Sequence, residues 1–168
     1  MSVNESSNGD LIYQEEDEDT QEDKFLTFFL DEEEYGIEIQ HVTEIIGIQK
    51  ITDMPDMPPY VKGVINLRGK VIPVMDVRLR FGLAERPYDD RTCIVVININ
   101  NHSVGLIVDR VSEVLDIPES DIEPPPRVGR GESSRFIKGM GKVGEQVKIM
   151  LNAEHVLFDG EAEWASVV

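Results

Sequence analysis

The chain has 168 residues, 40% of them hydrophobic and 29% charged, with a formal net charge of −17; that balance suits one soluble globular domain, or two small subdomains sharing a core. So much negative charge argues against nucleic acid and anionic membrane surfaces, which are bound through basic patches. No window approaches the roughly 18 apolar residues of a membrane helix, the N-terminus lacks the pattern of a signal peptide, and Cys93 alone excludes an intrachain disulfide, as suits a reducing cytoplasm.

Residues 1–23 carry nine acidic side chains and no Lys or Arg. A like-charge block such as "EEDEDTQED" repels itself and has little apolar area to bury, so it reads as a disordered acidic tail. From Lys24 onward the pattern is β. Alternation at Leu26, Phe28 and Leu30, then at Tyr35, Ile37 and Ile39, has the two-residue period of half-buried strands. "DEEE" between them predicts a hairpin turn. "DMPDMPPY" is a turn-rich connector. "GVINLRGKVIPVMD" follows as two apolar strand segments around "NLRGK", with Pro73 pointing to a sheet edge or a bulge. Asp76 is placed to cap a short helical turn that stops near Gly82. Strands resume at Cys93, and "DIEPPPRVGRGESS" is a second, longer connector. A short helix is predicted around Asn152–Phe158.

The chain also repeats itself. Phe25–Ile48 lies on Ile94–Ile117 at a shift of 69 residues without a gap, setting Gly36 on Gly105 and Glu44 on Glu113. "YVKGVINLRGKVIPVMD" lies on "FIKGMGKVGEQVKIMLN" at a shift of 76, setting Lys62-Gly63 on Lys138-Gly139 and Asp76 on Asn152. Small strands at regular spacing, given twice, predict an all-β fold of two related lobes: about 24–90 and 91–158, within one domain over 24–168. Neither lobe buries enough surface alone, so the two pack together with a groove between them.

Duplication separates what the scaffold needs from what it does not. Gly36/Gly105 and Gly63/Gly139 occur in both copies and serve backbone geometry. Arg68, Asn66 and Gly69 face Gly144, Lys142 and Glu145, so the scaffold can be built without "NLRG". Two roles stand open for Arg68. It can pair with Glu44 as a surface salt bridge, worth about 0–1 kcal/mol. It can also recognise a partner, since arginine with its five fixed donors is enriched at binding hot spots.

The stretches "DEEEYGIEIQHVTEIIGI", "PPYVKGVINLRGKVIPVMDVRLRFG", "VGLIVDRVSEVL" and "FIKGMGKV…VKIMLN" resemble the CheW-like domain family of chemotaxis coupling proteins, over about residues 24–158. The resemblance implies two five-stranded SH3-like barrels around a shared core, with short helical turns and a short C-terminal helix. It implies a non-catalytic adaptor, needing no cofactor, that joins the cytoplasmic tips of methyl-accepting chemoreceptors to the regulatory domain of the histidine kinase CheA. Such a protein is cytoplasmic, is recruited to membrane-associated receptor arrays without inserting in the membrane, and binds no nucleic acid. Carried onto this chain, the receptor-binding residues are Arg68, Val42, Glu44 and Val114, with Asn66 of the same motif. Val42 and Glu44 share a strand face if the segment is extended. The kinase-contacting residues are not assigned, and the acidic tail lies outside the resemblance.

Competing chemistry is thinly represented. "GMGKVG" satisfies G-x-G-x-x-G, but the repeat lays it over a strand and hairpin rather than a helix start. Asp31–Glu34 could suggest a metal site; its counterpart "NNHS" reads as a plain solvated turn. His41, His102 and His155 lack ligand spacing, and no catalytic constellation is visible. Cys93 opens an apolar strand and reads as packing. Arg127, Arg130 and Arg135 read as a solvated loop. A small-barrel enzyme or ligand-binding module is the alternative reading.

Overall fold

The computed structural model describes residues 21–126 and 135–159. The acidic tail up to residue 20, and with it the expectation of disorder, lies outside the described residues, as do Arg127 and Arg130.

Among the described residues eleven strands follow in chain order. The first half gives β1 (Lys24–Leu30), β2 (Glu33–Glu38), β3 (Val42–Gly47), β4 (Val61–Leu67) and β5 (Lys70–Asp76). The second gives β6 (Cys93–Ile99), β7 (His102–Val108), β8 (Arg110–Asp116), β9 (Ile122–Glu123), β10 (Ile137–Val143) and β11 (Gln146–Leu151). Short helices Val77–Arg80 and Ala153–Phe158 follow β5 and β11. The all-β architecture expected from the sequence is present. One local difference is that β2 stops at Glu38 and Ile39 enters a 3-10 turn, Ile39–His41, so the strand ends one residue short of the alternation.

The two sheets do not coincide with the two sequence halves. Sheet one runs β3-β6-β7-β5-β4 and sheet two runs β8-β1-β2-β11-β10-β9. Each half thus lends a hairpin to the other: β6–β7 completes sheet one, and β1–β2 completes sheet two. Both loans are sealed by parallel ladders, β5 on β7 and β11 on β2. The repeat register survives the exchange. Ile45 opposite Val95 becomes Val114 opposite Leu26, and Val74 opposite Gly105 becomes Met150 opposite Gly36. The bulges recur too, between Val61 and Gly63 and between Ile137 and Gly139.

Packing follows the same plan. Leu26, Phe28, Ile37, Met75, Val95, Ile97, Leu106 and Leu151, from both sheets, form the large shared core. Sheet one has its own cluster around Ile65, Val74, Ile94 and Ile107. Sheet two has a smaller one of Phe25, Ile117 and Met150. Gly105 is fixed by the parallel ladder, because a Cβ there would lie 2.6 Å from Ile94 and 2.9 Å from Val74. Of the two places expected for Pro73, the edge is excluded, because β5 is an interior strand, whereas a bulge does lie one pair away, between Val61 and Gly63 of the facing strand. The ladder from β5 to β7 starts only at Val74, so the missing N–H falls where that ladder has not yet begun.

Asp76 and Asn152 cap equivalent helices, accepting the N–H of Leu79 at 3.3 Å and of His155 at 3.0 Å. The caps are not equally loaded. Asp76 also accepts the Tyr88 hydroxyl at 2.8 Å. Asn152→Ala is expected to cost about 1 kcal/mol, an ordinary cap. Asp76→Ala should cost more, since a part-buried hydroxyl also loses its partner; paired urea melts check the order.

Candidate functional site

β4 and β5 are joined by the two residues Arg68 and Gly69, between Leu67 and Lys70. Arg68 has φ 52° and Gly69 φ 87°, the double left-handed shape that suits the right-handed twist of a hairpin. Glycine adopts it freely, whereas a residue with a Cβ pays roughly 1–2 kcal/mol. The equivalent turn after β10 places Gly144, with φ 60°, where this one has arginine. Asn66 holds the turn: its Oδ1 accepts the N–H of Gly69 at 2.8 Å.

The Arg68 guanidinium donates to the Glu44 carboxylate on β3. Arg68 is 71% exposed and Glu44 27%. Such a pair adds little to stability, and its arginine occupies a backbone position that disfavours it. What the arrangement achieves is placement: a cation in solvent, on a tight turn, oriented by a carboxylate that is itself half-buried. Strain held at a surface position where the fold has a cheaper solution points to function.

Of the residues expected at the receptor site, Arg68, Glu44 and Asn66 are thus brought together. Val42 begins the same strand as Glu44, but a bulge separates them, Val42 facing Ile97 and Glu44 facing Val96. The shared face expected from simple alternation is interrupted, and Val42 packs on the shared core. Val114 lies on β8 of the other sheet, opposite Leu26 and 49% exposed. Two exposed apolar side chains were missed, Ile45 beside Glu44 and Val71 opposite Asn66. The repeat already equated Ile45 with Val114, which was the available signal.

The other sequence candidates resolve into structure. Asp31 forms the β1–β2 turn, with φ 56°, but "DEEE" is not a plain solvated turn. Arg78 donates to Asp31 and to Asp109 at 2.8 Å each, and Arg86 donates to Asp109 at 3.0 Å. The Arg78 hydrogen bond, opposed by desolvation, and the charges of Arg78 and Arg86 hold the Asp31 carboxyl below its ordinary range. Glu34 is buried against Lys148. "GMGKVG" lies on β10 and its turn, as the repeat required. Cys93 starts β6 and packs on the shared core. Among the described residues no group of three or more His, Cys, Asp or Glu side chains is placed to hold a metal ion, and no helix is long and apolar enough to cross a membrane.

Comparison with known proteins agrees with this architecture. A family model for the CheW-like domain matches residues 24–161. The chemotaxis protein CheW of Klebsiella aerogenes is 37% identical over 138 residues, covering 82% of this chain and 83% of that protein. The Bacillus subtilis chemotaxis protein CheW is 35% identical over 145 residues, covering 86% and 92%. The crystal structure of the scaffolding protein TtCheW from Thermoanaerobacter tengcongensis superposes with a TM-score of 0.76 at 37% identity, over 83% of this chain and 94% of that one.

Proposed function

The chain belongs to the CheW-like domain family, and on that premise we propose that it is a non-catalytic adaptor coupling methyl-accepting chemoreceptors to the histidine kinase CheA. It works in the cytoplasm, at membrane-associated receptor arrays, as a bivalent scaffold. One surface takes the helical tip of a receptor and another takes the kinase's regulatory domain, so that receptor conformation biases kinase activity. The observation that carries this reading is Arg68, a fixed and solvent-facing cation on a turn that the other half builds with glycine.

The chemistry fits a helical hairpin presenting carboxylates and leucines. Arg68, oriented by Glu44, takes a carboxylate. Ile45 and Val71, exposed on β3 and β5, offer apolar area for an amphipathic helix. Val42, Asn66 and Val114 complete the receptor site in this reading. No proton transfer or nucleophile is called for.

Titration calorimetry of the full chain against a receptor-tip hairpin, against the CheA regulatory domain, and against the two in succession tests the proposal. Both partners are expected to bind, and the first should leave the second able to bind. Failure of either partner to bind, or mutual exclusion of the two, overturns the adaptor reading.

A further inference from the structure

Five large apolar side chains stand exposed among the described residues: Ile45, Ile48, Val71, Val114 and Val147. Four of them are repeat partners. A shift of 69 residues sets Ile45 on Val114, and a shift of 76 sets Val71 on Val147. Their exposures agree as well, 43% with 49% and 52% with 52%. Core residues recur in both halves because the fold needs them. Exposed apolar side chains fill no core, so their recurrence points to a surface put to use on both sheets.

The surroundings correspond too. The strand order β8-β1-β2-β11-β10 of sheet two repeats β3-β6-β7-β5-β4 of sheet one. In sheet one the Arg68–Glu44 contact brings the β4–β5 turn against β3. The same order sets the β10–β11 turn, Gly144 and Glu145, toward Glu113 on β8. What changes is the charge. Where sheet one offers Arg68, sheet two offers Glu113 and Glu145, both exposed and neither in an ion pair among the described residues. Lys142, opposite Val147, is drawn the other way, donating to Glu123 on β9 at 3.1 Å. The Glu113 backbone is fixed on both sides: its N–H donates to the Thr27 hydroxyl at 3.2 Å, and its carbonyl accepts from that hydroxyl at 2.9 Å. The carboxylate is left for solvent or a partner.

We propose that sheet two carries a second, charge-reversed docking platform, Val114 and Val147 beside Glu113, which takes a helix of the receptor-tip hairpin presenting Lys or Arg between apolar residues. The proposal rests on the adaptor reading and extends the receptor contact on sheet two from Val114 alone to a copy of the platform on sheet one. A helical hairpin has two antiparallel helices, and the duplicated chain meets it with two equivalent surfaces of opposite sign: Arg68 for a carboxylate, Glu113 for a cation. Opposite signs also fix which helix goes where, because the exchanged arrangement sets like charges against each other.

Titration calorimetry of the full chain against the receptor-tip hairpin tests this, with the CheA regulatory domain as control partner. The variants are Val147→Asp, Glu113→Gln and Glu113→Lys, each with its melting curve; should Val147→Asp fail to fold, Val147→Ser is read in its place. Val147→Asp is expected to weaken receptor binding about tenfold or more. Glu113→Lys should weaken it further than Glu113→Gln does, since it adds repulsion to the lost contact. Glu113→Gln should also flatten the fall of affinity with salt. Kinase affinity should hold throughout. Receptor affinity unmoved by all three, while Arg68→Ala lowers it, confines the receptor to sheet one: the proposal falls and the adaptor reading stands. Tighter receptor binding by Glu113→Lys overturns the proposal, because the surface then meets an anion. Loss of kinase affinity in place of receptor affinity overturns it as well. A wild type that binds no receptor tip removes the adaptor reading and this platform with it.

Discussion

Replacing Lys148 with methionine is expected to destabilise the fold by about 3–5 kcal/mol, the cost of stranding a charge inside the protein. Lys148 on β11 and Glu34 on β2 are 7% and 9% exposed, and they face each other beside the parallel ladder that sets Ile149 opposite Tyr35. Lys148 also donates to Gln146 Oε1 at 2.7 Å. With lysine gone, Glu34 must stay ionised without a partner or take up a proton. Removing both charges together, as Glu34→Leu with Lys148→Met, should recover most of the loss, because apolar residues of similar volume often replace a buried pair at no cost. Equilibrium urea unfolding of the single and double variants reads this as a coupling energy.

The pH dependence of the two proteins should run in opposite directions. In the wild type, desolvation pushes the Glu34 carboxyl up, but the hydrogen bond and the charge of Lys148 hold the group below its ordinary range. A carboxyl depressed in the folded state contributes its stability above the unfolded value and loses it as pH falls through the folded one. The wild type therefore weakens on acidification below the ordinary glutamate range. In Lys148→Met desolvation is unopposed and the folded value rises above the unfolded one. The cost is then largest at neutral pH and is relieved as pH falls through the raised value. Melting temperatures between neutral and mildly acidic pH should converge for the two proteins. Parallel curves would mean that Glu34 does not depend on Lys148.

This ion pair also marks where reading the sequence stops. Its partners lie 114 residues apart, and no period or motif links them. Local features were legible because their causes are local. Alternation at Leu26, Phe28 and Leu30 set β1, and an Asp or Asn one residue ahead of each short helix set the caps at Asp76 and Asn152. The exchange of hairpins between halves was not legible, because the repeat fixes which segments are equivalent but not which of two equivalent partners each one meets. Asymmetry between the halves proved a permissive filter for function. It selected Arg68, but Arg78 and Arg80 are equally asymmetric, facing Glu154 and Val156 at the same shift. Both are buried and serve the fold, Arg78 on Asp31 and Asp109, Arg80 on the Val156 carbonyl. Exposure is what separates Arg68 from them, and exposure at a hairpin tip depends on the neighbouring strands.

Arg68→Ala should weaken binding of a receptor-tip hairpin by about 2 kcal/mol or more, as truncation of an arginine anchor does, while the melting curve barely moves. The stability side follows from the turn. Alanine keeps the left-handed strain and loses only an exposed ion pair, worth about 0–1 kcal/mol. Arg68→Gly sharpens the contrast: it should lose binding to the same extent while folding at least as stably as Arg68→Ala, since glycine relieves the strain at φ 52°. Glu44 distinguishes orientation from direct contact. If it only aims the guanidinium, Glu44→Gln should cost less than Arg68→Ala, and the double variant should bind no worse than Arg68→Ala alone. Calorimetry on the three variants and the double variant, each with its melt and its affinity for the CheA regulatory domain, closes the cycle. Kinase affinity that stays constant places the two partners on separate surfaces, as bivalence requires. If both affinities fall with the melt, "NLRGK" is structural, and the receptor surface must be built from Ile45, Val71 and Val114 without it.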